Sequence, residues 1–194
     1  MTGRRAVVER TTKETQIDLR LELDGGPIEI STDVNFLDHM LEAFAKHSGC
    51  GLSVVARGDG MDHHHLIEDV GIALGKAIYD ALGDKRGIER YGSMMVPLDD
   101  ALVACSIDLS GRSYLNFQVR FLVENLGDFK TEMIREFFRA VADNGRFNLH
   151  LMQMNGDVAH HLCEAAFKAF ARAFRQAKTR TGSDEIISTK GLLD

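Results

Sequence analysis

The two halves of the chain repeat one another. A shift of 96 residues places Gly60 on Gly156 and the stretch HHLIE, residues 64–68, on HHLCE, residues 160–164. Alanines of the helical pattern that follows also coincide, those at positions 73, 77 and 81 falling on those at 169, 173 and 177. A shift of half the chain length that superposes a rare dipeptide, its glutamate and three small residues indicates an internal duplication. The chain is therefore expected to build its core from two copies of one unit.

Hydrophobic periodicity predicts the elements of the first copy. The segment TQIDLRLELDGGPIEIS alternates apolar and polar residues on both sides of DGG, which predicts a β-hairpin. The segment VNFLDHMLEAFAKHSG has apolar residues at three- and four-residue intervals, which predicts a helix that stops at a glycine. GLSVVARG then predicts a strand, and HHHLIEDVGIALGKAIYDALG predicts a second helix.

The second copy follows the same order. Strands are predicted at LVACSIDLS and SYLNFQVRFL, a helix at TEMIREFFRAVADNG, a strand at FNLHLMQM and a helix from about His161 to Ala177. Both copies thus have the predicted order ββαβα. We expect one α+β unit of two repeats, at about 14–87 and about 88–180, with mostly antiparallel sheets and helices packed on one face. Residues 181–194 lie outside the repeat and are expected to form an extended tail.

Charge and composition exclude several classes of protein. The formal net charge of -6 argues against a nucleic-acid partner, because such proteins need a basic face to displace counterions from phosphates. No apolar run is long enough to cross a membrane, and the segment MTGRRAVVERTTKET lacks the apolar core of a secretion signal. We therefore expect a soluble, cytoplasmic protein. The widely spaced cysteines at positions 50, 105 and 163 form no CxxC pair and are predicted to be free and buried.

The repeated HHxxE motif has the composition of a metal site. Residues four apart on a helix lie roughly 40° apart around its axis, and residues three apart lie roughly 60° apart. Each motif therefore offers two imidazoles and one carboxylate near the start of one helix. Such ligands suit Mn²⁺, Fe²⁺ or Zn²⁺, and the absence of paired thiolates disfavours a structural zinc. A solvated polar cluster is the alternative, but it gives no reason for the repetition in register. Two ligand sets imply either two metal sites or one dinuclear centre.

The remaining candidates are weaker when judged by position alone. His150 lies on a predicted strand among apolar residues, where a structural histidine is common, and His39 is undecided. His47 and His63 fit ordinary polar positions. Lys168 follows Glu164 by one turn, and its counterpart in the first copy is Ile72, so only the second copy adds a cation beside its ligands. This asymmetry is typical of a site for a substrate with one metal-binding end and one acidic end.

Without further information these features fit three kinds of protein. A generic dinuclear metalloenzyme ranks first, and a dinuclear hydrolase of phosphoesters uses the same metal and phosphate features. A histidine-rich metal buffer, or a scaffold held together by metal, would bind ions without turnover. The buffer gives no role to Arg90, Arg112 or the STKG tail.

Longer motifs carry a more specific likeness. The chain resembles the imidazoleglycerol-phosphate dehydratase family of histidine biosynthesis over nearly its whole length. The motifs, in family order, are RTTKETQIDLRLELDG, FLDHMLEAFAKHSG, DHHHLIEDVGIALGKA, GIERYG, PLDDAL, DLSGR, AHHLCEAAFKAFARAFRQA and STKG. The chain lacks the DxDxT-type phosphatase signature of the bifunctional members, so the resemblance implies the dehydratase activity alone.

The resemblance implies a duplicated α+β fold and two Mn²⁺ ions per active site, each held mostly by histidines with one glutamate. The implied ligands are His39, His64, His65, Glu68, His150, His160, His161 and Glu164. This includes His150, which position alone assigns to the core. The implied substrate contacts are Glu14, His47, Arg90, Arg112, Lys168, Ser188, Thr189 and Lys190, and the catalytic residues among them are Glu14 and His47.

The implied reaction converts D-erythro-1-(imidazol-4-yl)glycerol 3-phosphate into 3-(imidazol-4-yl)-2-oxopropyl phosphate and water. The hydrogen removed from C2 of the glycerol is not next to a carbonyl, so ordinary α-proton acidity is not available. Two metal ions on the ring nitrogens would let the imidazole bind as imidazolate, whose electrons expel the neighbouring hydroxyl as water. The product is a diazafulvene-like intermediate, from which Glu14 is expected to remove the C2 proton. Arg90, Arg112, Lys168 and Lys190, with the Ser188 hydroxyl, are expected to hold the phosphate.

The resemblance also implies an assembly. Family active sites lie at subunit interfaces, and metal converts trimers into 24-subunit shells. One chain alone is therefore not expected to form a complete site.

Overall fold

The computed structural model describes residues 3–61 and 63–193 of the chain. The first half contains β1 (Arg5–Thr11), β2 (Thr15–Glu22), β3 (Ile28–Ser31), α1 (Asn35–Ser48), β4 (Gly51–Gly58) and α2 (His64–Leu82). The second half contains β5 (Tyr91–Leu98), β6 (Ala101–Asp108), β7 (Tyr114–Gln118), β8 (Asn125–Leu126), β9 (Phe129–Lys130), α3 (Glu132–Gly145), β10 (Asn148–Asn155) and α4 (Ala159–Ala177). The predicted α+β class is confirmed.

The two halves share one sheet topology. The strand order is β1-β2-β4-β3 in the first sheet and β5-β6-β10-β7 in the second. The parallel pairs are β3 with β4 in the first sheet and β7 with β10 in the second, and the other neighbours are antiparallel. The short strands β8 and β9 form a separate hairpin ahead of α3. Equal strand order in both halves agrees with the duplication inferred from the sequence.

Two strand assignments from the sequence need correction. Each four-stranded sheet has one strand more than ββαβα predicts, because β1 and β5 also pair along their whole length at the sheet edges. The second half also contains the short strands β8 and β9, which the sequence pattern does not predict. Pro97 weakens the strand pattern of β5, although proline is tolerated on an edge strand. The hairpin predicted around DGG is wrong, because β4 lies between β2 and β3. Alternation identifies strands but does not determine their neighbours. The hairpin of this region turns instead between β1 and β2.

The four helices of the described residues lie between the two sheets. Helix α2 packs on β1 and β2, α4 packs on β5 and β6, and the halves meet where α1 contacts α4 and α2 contacts α3. The core is apolar and includes many phenylalanines of α3 and α4 in ring contact, for example Phe138 with Phe167 at 4.8 Å. The three cysteines are free and buried, as predicted. Within the described residues, no helix is long and apolar enough to span a bilayer.

Candidate metal centre

The beginning of α4 and the first turns of α1 bring three metal-binding side chains together. His39 Nε2 lies 3.6 Å from Glu164 Oε2, and His160 Nε2 lies 3.3 Å from the same oxygen. One ligand atom from each of the three residues lies within 4.8 Å of the others. His160 and Glu164 are four residues apart, so both project from one face of α4. Two imidazole nitrogens and one carboxylate oxygen at this spacing suit a divalent ion such as Mn²⁺.

Two further sequence-predicted residues lie beside this cluster. Lys168 Nζ contacts Glu164 Oε1 at 2.7 Å. Burial raises the pKa of Glu164, but the contacts with Lys168 and His39 outweigh that effect, so the pKa lies below its ordinary value. The carboxylate is therefore ionised at neutral pH. Burial also lowers the pKa of His47, and the charges of Lys168 and Arg172 lower it further. His47 is therefore neutral at neutral pH.

The first HHxxE motif has different neighbours. His64 Nε2 lies 3.7 Å from Glu68 Oε2, whereas His65 Nδ1 faces Glu14 Oε2 at 3.4 Å. Glu68 also accepts a hydrogen bond from Arg139 of α3 at 3.3 Å. Glu14, proposed from the resemblance as the proton-transfer group, thus lies against a proposed ligand. Its position follows from the turn between β1 and β2, which lies over α2.

The last two predicted ligands lie elsewhere in the chain. His161 donates from Nδ1 to Asp100 Oδ1 at 2.7 Å, and its Nε2 lies 3.5 Å from Asp99. His150 alternates along β10 with buried leucines, so it faces away from the helices, 3.4 Å from the amide of Asn116. The eight predicted ligands therefore occupy four places in one chain, and among the described residues only the His39 cluster brings three ligand atoms within reach of one ion.

Five of the predicted substrate contacts line one cavity of about 590 Å³. They are Arg90, Arg112, Ser188, Thr189 and Lys190, which come from β-strand ends and from the C-terminal tail. Arg90 donates to both carboxylate oxygens of Asp108, and from Nη1 to the Ile187 carbonyl at 2.5 Å. These bonds hold the tail against the second sheet. Hydrogen bonding to Asp108 also raises the pKa of Arg90, so its charge is permanent.

Asp100 is a site residue that the sequence reasoning left without a role. Its carboxylate accepts the backbone N–H groups of Asp157 and Val158, at 2.8 and 3.1 Å, as well as the His161 contact. The Asp157 bond, followed by the His161 and Val158 bonds, holds the pKa of Asp100 far below its usual range. The PLDDAL motif contains this residue, but spacing does not show that its second aspartate meets a histidine 61 residues later.

The family model described as imidazoleglycerol-phosphate dehydratase matches residues 32–174. The chain belongs to the imidazoleglycerol-phosphate dehydratase family. Curated members include a Geobacter metallireducens protein, 51% identical over 98% of this chain and 100% of its own length. A Lachnoclostridium phytofermentans member is 49% identical over 99% of this chain and 100% of its own. Both carry the name of a dehydratase, so the chain belongs to a family of lyases.

Solved structures of imidazoleglycerol-phosphate dehydratases share this fold. The Staphylococcus aureus enzyme has a TM-score of 0.85 and 41% identity, covering 91% of this chain and 99% of its own. The Pyrococcus furiosus protein has a TM-score of 0.85 and 39% identity, covering 96% of this chain and 100% of its own. The likeness therefore extends over both halves of the duplicated fold.

Proposed function

We propose that this chain dehydrates D-erythro-1-(imidazol-4-yl)glycerol 3-phosphate to 3-(imidazol-4-yl)-2-oxopropyl phosphate in the histidine biosynthesis of the cytoplasm. The observation that carries the proposal is the family likeness over almost the whole chain. The donor cluster on α1 and α4 and the basic cavity beneath the tail support it. The cluster supplies metal ligands for binding the imidazole ring, and the cavity supplies positive charge for binding the phosphate.

Two Mn²⁺ ions are the proposed cofactors. His39, His160 and Glu164 form one donor set, and His64, His65 and Glu68 form the core of the other, with His150 and His161 as further ligands. A bound divalent ion would act as a Lewis acid toward a ring nitrogen of the substrate and favour loss of its N–H proton.

The chain's own side chains then have distinct roles. Arg90 and Arg112 offer planar, bidentate donors to the phosphate, whereas Lys190 offers a point charge. Ser188 and Thr189, from the same tail, contribute their hydroxyls. The hydroxyl next to the ring leaves as water with the proton lost from the ring N–H, which gives the diazafulvene-like intermediate expected for this reaction. Glu14 accepts the C2 proton, and the resulting enol becomes the ketone.

His47, neutral at working pH, is available as a hydrogen-bond or proton-transfer partner, and Lys168 contributes positive charge to the same part of the site.

We further propose that each active site is shared between subunits, in trimers that metal assembles into a 24-mer. The distribution of the eight predicted ligands over four places in one chain supports this, because two complete shells need groups from more than one place. Light scattering before and after chelation tests it. A large particle that dissociates when the metal is removed is expected. A monomer whose size is independent of metal would contradict the proposal.

Turnover of imidazoleglycerol phosphate tests the proposed activity. The chain is incubated with the substrate and Mn²⁺, and the enolisable ketone and free phosphate are measured in the same reaction. We expect ketone without phosphate, and loss of turnover after chelation with recovery on adding Mn²⁺. Release of phosphate without ketone would indicate a metallohydrolase instead. Metal binding without either product would indicate a metal buffer.

A further inference from the structure

We infer that Asp69 is a positioning residue that, through Thr15 and Thr12, fixes the Glu14 carboxylate against His65. The inference rests on the proposed function, because Glu14 is the proton-transfer group there. Asp69 lies on α2, directly after the last residue of the HHxxE motif, and the residue is 9% exposed.

The turn that carries Glu14 is held by the hydroxyl of Thr12. Thr12 Oγ1 accepts the backbone N–H of Glu14 at 3.1 Å and that of Thr15 at 3.0 Å. The backbone N–H of Thr12 in turn donates to the Thr15 carbonyl at 2.9 Å. The backbone of Glu14 is therefore enclosed in a tight turn, although its side chain is about half exposed.

Asp69 anchors this turn to α2. The hydroxyl of Thr15, a buried residue, donates to Asp69 Oδ2 at 2.5 Å. Because that proton is used, the 3.1 Å contact between the two threonine hydroxyls has Thr12 as its donor. Arg10, near the end of β1, donates from Nη2 to Asp69 Oδ1 at 2.8 Å. A hydrogen-bonded chain thus runs from the Glu14 amide through two hydroxyls to one carboxylate, and Arg10 holds the other oxygen of that carboxylate.

The anchor and the ligands share one helix. Asp69 follows His65 by four residues, so both lie on neighbouring parts of the α2 surface. Among the residues that the structure describes, none makes a hydrogen bond to the buried His65 Nδ1, and the Glu14 carboxylate oxygen lies 3.4 Å from it. A flexible glutamate on a free turn would sample many positions. Fixing its backbone to the helix that carries His65 keeps the carboxylate at the edge of the proposed metal site. Catalysis by a positioned base is sensitive to displacements of about 1 Å.

The test compares variants in the full-length, metal-loaded protein. Thr15→Val removes the hydroxyl at nearly constant shape, Thr15→Ser keeps it, and Asp69→Asn removes the charge. Asp24→Asn is the matched control, because it breaks another aspartate–arginine pair, that with Arg4, away from the proposed site. We expect kcat to fall on the order of tenfold for Thr15→Val and Asp69→Asn. KM and Mn²⁺ affinity should stay near the parent values, Thr15→Ser should restore kcat, and Asp24→Asn should leave it unchanged.

Glu14→Gln provides the decisive background. If Thr15 and Asp69 act through Glu14, then Thr15→Val has no further effect on kcat once Glu14 is replaced. An equal loss of kcat on both backgrounds, or an unchanged kcat in folded Thr15→Val, would overturn the inference. Either result would leave the turnover of the parent protein, and so the proposed function, intact.

Amide hydrogen exchange separates the two claims even if the parent enzyme does not turn over the substrate. The Glu14 and Thr15 amides should exchange faster in Thr15→Val than in Thr15→Ser. Equal protection in both variants would overturn the anchoring role on its own. Absent turnover in a parent with protected amides would count against the proposed function alone.

Discussion

At the residue scale, the two neighbouring histidines of the second HHxxE motif contact different partners. His160 approaches Glu164, as the HHxxE spacing predicts, but His161 turns to Asp100. Adjacent residues on a helix point roughly 100° apart, so two consecutive imidazoles are not expected to approach one carboxylate from the same side. The spacing predicts imidazole and carboxylate donors at the start of the helix, but it does not predict the partner of His161. That partner comes from the β5–β6 turn, and only the folded chain brings it near.

Replacing Asp100 tests this contact. An ionised carboxylate can only accept, so it places the His161 proton on Nδ1 and leaves Nε2 available to an ion. Asp100→Asn removes that preference, and we expect Mn²⁺ affinity to fall roughly tenfold or more, measured by calorimetric titration. Exposed Asp84→Asn serves as the control. Unchanged affinity in Asp100→Asn would show that this contact only caps α4.

Asp24 gives a pH-dependent prediction. A hydrogen bond from Arg4 is the main cause that lowers the pKa of Asp24 below its ordinary value of 3.8, against the opposing effect of burial. A lowered pKa means that the folded state favours the ionised form. The resulting stabilisation is present above pH 4 and is lost as the pH falls through the folded-state value. Asp24→Asn should therefore melt slightly below the parent at pH 7, and the gap should narrow as the pH falls below 4. Because Asp24 is largely exposed, the difference should be small. A gap that grows in acid would contradict the assignment.

At the scale of elements, the sequence predicted helices better than strand partners. The 3.6-residue period predicted α1 and α2 close to their observed bounds, because their apolar stripes face the core. The edge strands β1 and β5 were missed, and the DGG segment suggested a hairpin that β4 interrupts. Strand pairing depends on contacts between distant segments, which alternation within one segment does not encode. The cavity lined by Arg90 and Lys190 could not be predicted for the same reason, since it lies between the C-terminal tail and the second sheet, which are distant in the sequence.

Two glycines allow the close contact of α2 with α3. A Cβ on Gly75 would lie 2.6 Å from the Val141 carbonyl oxygen, and one on Gly71 would lie 2.9 Å from the Phe137 carbonyl oxygen. The opposing atoms belong to backbone, so the helices must separate to accept a methyl group. We expect Gly75→Ala to lower the free energy of unfolding by about 1–3 kcal/mol in urea denaturation, despite the better helix propensity of alanine. Gly3→Ala, where a Cβ has open space, controls for the added methyl. Equal stability of both variants would show that this contact is loose.

At the scale of the whole molecule, the predicted site residues lie in separate places of one chain. The Glu14–His65 pair lies at the start of α2, and the His39 cluster lies between α1 and α4, in the contact of the two halves. The basic cavity lies beside β5 and the tail. The repeat explains why the ligand motifs occur twice. Repetition alone does not bring the two motifs together, and in the proposed assembly neighbouring subunits would do so.

Hybrid oligomers test whether copies share a site. Glu14→Gln and His39→Ala chains, each expected to retain only a small residual turnover alone, are co-expressed with different tags and purified as mixed particles. If each site combines the Glu14 region of one subunit with the His39 region of another, then some sites in the hybrid contain both native groups. A measurable fraction of the parent turnover should return. Hybrids no more active than the two single variants would show that both residues of every site come from the same chain.

The most direct test of the proposed dehydration is the mass of the product. Imidazoleglycerol phosphate carrying an ¹⁸O label in the hydroxyl next to the ring is incubated with the Mn²⁺-loaded chain and analysed by mass spectrometry. We predict a product lighter by one molecule of labelled water, with the phosphate ester intact, and no such product after chelation. Unchanged substrate at saturating metal, or a product that has lost phosphate and kept the label, would contradict the proposed dehydration.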